Sequence, residues 1–84
     1  MNTPEIIAKV LHDVYAQDGH HIEMVDTAEE GIYEICYDGK LIYTFNMKEA
    51  AEAFIQSPIC EVELAAELTS FVIDVIDSIV EAAV

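Results

Sequence analysis

The hydrophobic and polar pattern is clearest between Pro58 and Val84. There Glu63, Glu67, Ser70, Asp74, Asp77 and Glu81 recur alternately four and three residues apart. At about 100° per residue these positions share a helical arc of roughly 80°, with Ser78 at its edge. Nearly everything between them is apolar. Thr69 is the exception, and its hydroxyl can bond back to the Ala65 carbonyl. The spacing predicts one C-terminal helix from Pro58 to Val84, about 25 residues and so about 37 Å at 1.5 Å per residue. A helix apolar over most of its circumference is a buried one, covered by the rest of its chain or by a second copy.

Thr3-Pro4-Glu5 predicts an earlier helix start, with Thr3 as N-cap and Pro4 at the first helical position. Ile6, Ile7, Val10, Leu11 and Val14 then recur at helical spacing, and Asp18-Gly19 ends the run. His12 lies off this stripe and reads as solvated. His20 to Asp26 alternates weakly, with Ile22 and Met24 on one side, and predicts a strand. Asp26 to Gly31 is a polar, acidic connection. Ile32 to Asp38 and Lys40 to Phe45 predict two more strands. Asp38-Gly39 joins them as a two-residue type I′ turn, which needs positive φ at both positions.

A regular hairpin would pair Tyr37 with Lys40, Cys36 with Leu41, Ile35 with Ile42 and Ile32 with Phe45. One sheet face would carry Ile32, Cys36, Leu41, Tyr43 and Phe45, with Glu34, and meet the helices. The other would carry Tyr33, Ile35, Tyr37 and Ile42, with Lys40 and Thr44. It reads either as an exposed aromatic binding patch or as scattered surface tyrosines. Asn46 to Glu49 opens a second helix like a capping box, with Met47, Ala50, Ala51, Phe54 and Ile55 facing inward. Ser57-Pro58 ends it, and Ser57 is expected to cap the last helix. The expectation is an α+β fold in the order αβββαα: an N-terminal helix, a three-stranded antiparallel sheet and two C-terminal helices. It forms a single domain over residues 1–84.

Charge changes the picture. The chain has 17 acidic residues, three lysines and no arginine, for a net charge of −14. Binding to nucleic acid is disfavoured, because neutralising phosphates needs clustered Lys and Arg. An anionic membrane surface is disfavoured for the same reason. The acidity reads either as solubility, offsetting a hydrophobic content of 54%, or as a face for a basic partner. Glu67, Asp74 and Asp77 argue against a membrane span, since an intramembrane Asp costs about 2.5–3.5 kcal/mol. Met1 leads at once into a helix start with no signal peptide, so a cytoplasmic setting is expected. Cys36 and Cys60 are then expected as free thiols, Cys36 within the core face.

Catalytic chemistry is not evident. His20-His21-x-Glu23 supplies ligand types, but adjacent strand residues point to opposite faces. Cys60 sits in the first turn of the predicted last helix, where a thiol pKa falls, yet no His is near it in sequence. Glu63/Glu67 and Asp74/Asp77 lack the inward Glu-x-x-His of a di-metal bundle site. No P-loop, glycine fingerprint or nucleophile elbow occurs. The reading is a protein that is not an enzyme and needs no cofactor or metal.

The element order resembles that of the small acidic anti-CRISPR proteins of phages and prophages. It looks most like those that sit in the DNA-binding groove of a type II RNA-guided nuclease. The matching features are the helix directly after Met1-Asn2, the Asp38-Gly39 hairpin, the acid-led helix at Lys48-Glu49 and the acidic total. The last helix departs from that pattern, being more apolar than a solvent-facing inhibitor helix. No functional residue is carried over by position.

Two function classes follow. The first is an interaction protein, an inhibitor whose acids mimic nucleic acid and occupy a basic nucleic-acid-binding protein such as a CRISPR effector. Its candidate contacts are Asp26, Glu29 and Glu30 in the connection and Glu63, Glu67, Asp74, Asp77 and Glu81 on the stripe. The second is an obligate homodimer with a structural or adaptor role, acidic for solubility. Its candidate interface is Val72, Ile76 and Val80. A third class is a module with a small-molecule pocket between sheet and helices.

Overall fold

The computed structural model describes residues 2–54 and 60–83. The elements are α1 (Thr3–Ala16), β1 (Ile22–Asp26), β2 (Ile32–Tyr37), β3 (Lys40–Asn46), α2 (Met47–Phe54) and α3 (Glu61–Ala82). The fold is α+β in the expected order. None of the described helices is long and apolar enough to cross a membrane.

Both long helices begin differently from the sequence expectation. Asn2, not Thr3, caps α1: its Oδ1 accepts the Glu5 N–H at 3.0 Å. Thr3 is thereby freed to turn inward, where its hydroxyl donates to Glu61 Oε1 at 3.1 Å. That contact lies at the first residue of α3, whose N-cap is Cys60 rather than Ser57. Glu61 and Glu63 occupy the first turn, where the helix dipole favours carboxylates. Ile55, Ser57, Pro58 and Val84 lie outside the described residues, as does the Phe54 side chain. The other end of α1 closes as expected. The Gly19 and His20 N–H groups return to Ala16 and Tyr15 carbonyls, both at 3.0 Å, with Gly19 at φ +80°.

Tyr15 Oη donates to Asp77 Oδ1 at 2.8 Å. Together with Thr3–Glu61 this fixes the pairing of α1 with α3. The two contacts span about 18 Å of α1 and about 24 Å of α3, so the helices run in the same direction.

The sheet is an antiparallel meander, β1-β2-β3. Asp38 and Gly39 take φ +51° and +84°, as the turn requires. The first two pairs, Tyr37–Lys40 and Cys36–Leu41, follow the regular register. A bulge between Ile35 and Cys36 then shifts the rest: Ile35 pairs with Tyr43, Tyr33 with Phe45 and Ile32 with Asn46. A one-residue slip moves side chains to the opposite face. Ile35 and Phe45 would face opposite sides in a regular hairpin; the bulge turns both inward, where they are fully buried.

The expected faces are therefore reversed for β2. Tyr33, Ile35 and Tyr37 join Tyr43 and Phe45 against the helices, so they form no exposed aromatic patch. Cys36 is on the open face, half-buried, beside Leu41, which is 49% exposed. Both cysteines are free thiols, and Cys60 is exposed.

The core joins Ile7, Leu11 and Tyr15 of α1 to Ile22, Ile35 and Phe45 of the sheet and Leu68, Val72 and Ile76 of α3. Val72 and Ile76 have no exposed surface, which removes them from the homodimer interface expected above. They already pack within their own chain. Val80 is half-buried against the same cluster. Thr69, as expected, bonds back to the Ala65 carbonyl, at 2.6 Å. α2 packs against α3, capped by Asn46 Oδ1 accepting the Glu49 N–H at 3.0 Å.

The turn carries a direct test. A Cβ on Gly39 would meet no atom within 4 Å, so Gly39→Val is penalised by its positive φ alone. The expected loss is at least about 1 kcal/mol, read as a lower urea midpoint. An unchanged midpoint contradicts the turn geometry.

Candidate functional site

The polar line of α3 stays outside once its other faces are packed. Glu63, Glu67, Ser70, Asp74, Asp77 and Glu81 are all exposed. Among the described residues no ion pair reaches these carboxylates. Lys9 pairs within α1, with Asp13 at 3.2 Å. Like charges three and four residues apart repel, at a few tenths of a kcal/mol per pair. The helix keeps that repulsion because its buried side holds it in place.

Asp77 differs from the others, because its carboxylate accepts the Tyr15 hydroxyl. Burial first, and then this hydrogen bond, push the Tyr15 pKa well above the usual phenol range. The Tyr37 hydroxyl is also raised, by desolvation and then by Asp38, Asp18 and Asp77. Its ring meets Tyr15 edge-on at 5.9 Å. Asp18, Asp38 and Asp77 all act on the Tyr37 hydroxyl from this end of the sheet.

Asp26, Glu29 and Glu30 are exposed too, but elsewhere. They lie at the β1–β2 end of the meander, opposite the Asp38-Gly39 turn. The strand between measures about 17–20 Å. The connection is shaped by Thr27, whose Oγ1 lies 2.8 Å from the Ile32 carbonyl, and by Gly31, whose carbonyl accepts the Met47 N–H. The two acidic sets of the sequence reading thus do not form one cluster around Asp77. Asp18 and Asp38 were missed because they read as a helix end and a turn. The available signal was topological: the end of the first helix and the second hairpin turn share one edge of the sheet.

Asp38 also organises the start of β1. Its Oδ1 accepts the His21 N–H at 2.8 Å, and its Oδ2 lies 2.8 Å from His20 Nδ1. The His20 ring stacks on Tyr37 at 4.8 Å. His21 turns away to Glu23 Oε1, at 2.9 Å, so the adjacent histidines have different partners. The His21 N–H and then His20 hold the Asp38 carboxyl below its usual value of 3.8. A carboxyl depressed on folding stabilises the fold above its unfolded pKa, and that stability is lost as pH falls through the folded pKa. Asp38→Asn keeps a residue that tolerates positive φ. Its melting temperature should therefore fall less than the wild type's between pH 5 and pH 3. Parallel wild-type and variant curves contradict this role.

An apolar groove borders the stripe. It runs between α1 and α3, holds about 450 Å³, and is lined by Ile6, Val10, Val62, Ala66, Thr69, Ser70 and Ile73. Val62 is 68% exposed. The wide apolar arc of α3 hid this flank from the sequence reading. The chain matches no protein-family model, no curated protein and no solved structure.

Proposed function

We propose that the protein is an acidic interaction module that occupies a basic, nucleic-acid-binding surface on another protein, as anti-CRISPR inhibitors do. One observation carries the reading: α3 presents a line of exposed carboxylates that no cation of the described chain neutralises. A face serving only solubility gains nothing from excluding lysine, and it suffers the repulsion. Most of the apolar side of α3 no longer counts against the reading, because α1, α2 and the sheet pack on it and leave only the flank along the groove. The chain then acts by binding, without catalysis or cofactor, and works in the cytoplasm where its partner meets nucleic acid. Its net charge of −14 steers it to such a surface and makes the affinity fall with salt. The homodimer alternative is weakened by the loss of Val72 and Ile76 as interface residues.

Competition tests the proposal. A panel of guide-loaded type II nucleases is mixed with target duplex and increasing amounts of the chain, and duplex binding is read by mobility shift. Displacement of the duplex, relieved by added salt, is expected for at least one effector. Simultaneous binding of chain and duplex, or no binding by any effector, overturns the nucleic-acid-mimic reading.

A further inference from the structure

We infer that the groove between α1 and α3 seats a cationic amphipathic helix of the partner, an inference that rests on the reading of a basic partner given above. The lining of the groove is mostly apolar, with Thr69 and Ser70 as its two hydroxyl residues. The small side chains of Ala66 and Ser70 line it together with Ile6 and Val10 of α1 and Val62 and Ile73 of α3. Ridges four residues apart facing such a groove are the geometry into which a third helix packs. From Val62 to Ile73 the groove runs about 16 Å along α3, the length of three turns of a docked helix. Apolar anchors at three- and four-residue spacing on that helix would reach the apolar lining.

Charge decides between occupants. Ser70 belongs both to the groove and to the polar stripe, so the exposed acids of the stripe, Glu63, Glu67 and Asp74 among them, run alongside the groove on α3. Across the groove the Lys9–Asp13 pair neutralises itself. The border of the groove is therefore net negative. A second copy of a chain carrying −14 would bring like charge to it. A helix with Lys and Arg flanking an apolar stripe meets both the apolar lining and the acids alongside it.

The probe is a capped peptide of about 14 residues, with Leu at three- and four-residue spacing and Lys on the flanks. Its control is a scrambled peptide of identical composition. On the isotope-labelled chain, amide shifts should concentrate at Ile6, Val10, Val62, Ala66 and Ile73. The scrambled peptide should bind at least tenfold more weakly. Val62→Ser combined with Ala66→Gln alters exposed residues only and should keep the folded spectrum. It should weaken the amphipathic peptide about tenfold and leave the scrambled one unchanged. Equal binding of the two peptides overturns the groove inference while leaving the acidic-stripe reading standing. Failure of both peptides to bind overturns both. Sedimentation as a dimer that Val62→Ser disrupts assigns the groove to a second copy and overturns the inference.

Discussion

Ile76→Asp should abolish cooperative unfolding at every protein concentration. Ile76 has no exposed surface and packs with Leu68, Val72 and the sheet. The substitution removes a buried aliphatic side chain, which alone costs about 2–5 kcal/mol. It also buries a carboxyl with no partner, for at least about 2 kcal/mol more. A domain of 84 residues has about 4–13 kcal/mol of stability in all. Ile76→Val, by contrast, should cost about 1 kcal/mol and stay folded. Circular dichroism melts of the two variants read the difference. Had Ile76 lain at an interface between copies, Ile76→Asp would give a folded monomer. Observing that monomer contradicts the core described here.

The element order was legible because its signals are local. Pro4, Gly19, Asp38-Gly39 and Asn46 each act through their own backbone and need no tertiary context. The sheet's sidedness was not local. Counting outward from the Asp38-Gly39 turn gives the correct pairs as far as Cys36–Leu41, and then the bulge inserts Ile42. Nothing in the run Leu41-Ile42-Tyr43 marks that insertion, since each residue is an ordinary strand former. What selects it is burial of Ile35 and Phe45 on one face, a gain that exists only once the helices are in place. The stripe was legible from its spacing alone. Its neighbours were not: Tyr15 reaches Asp77 across 62 positions of sequence. The groove stayed hidden because periodicity shows that α3 is apolar on most sides, not which side is left uncovered.

Reversing Glu63, Glu67 and Asp74 to Lys should weaken partner binding at least about a hundredfold, or about 2.7 kcal/mol. These three are chosen because none holds up the fold through its side chain, whereas Asp77 is tied to Tyr15. Each reversal replaces an attraction to a basic surface with a repulsion, and close charge pairs across interfaces couple by about 1.5–7 kcal/mol. The net charge moves from −14 to −8, since each reversal adds two to the total. Long-range steering therefore weakens as well. Helix stability should change by no more than about 1 kcal/mol, the main loss being the carboxylate that the helix dipole favours at Glu63 in the first turn. The lysine at position 74 would stand three residues from Asp77 and turn one like-charge pair into an opposite one, worth a few tenths of a kcal/mol, while those at positions 63 and 67 keep the repulsion that Glu63 and Glu67 had. A variant that stays folded but fails to bind therefore separates recognition from folding.

The direct measurement is titration calorimetry of the wild type and this triple variant against one basic nucleic-acid-binding effector, at low and at physiological salt. Circular dichroism establishes that both are folded. The acidic-stripe account predicts wild-type binding that weakens steeply with salt, and a triple variant at least about a hundredfold weaker at low salt. Equal affinities for the two proteins, or an affinity indifferent to salt, would contradict it.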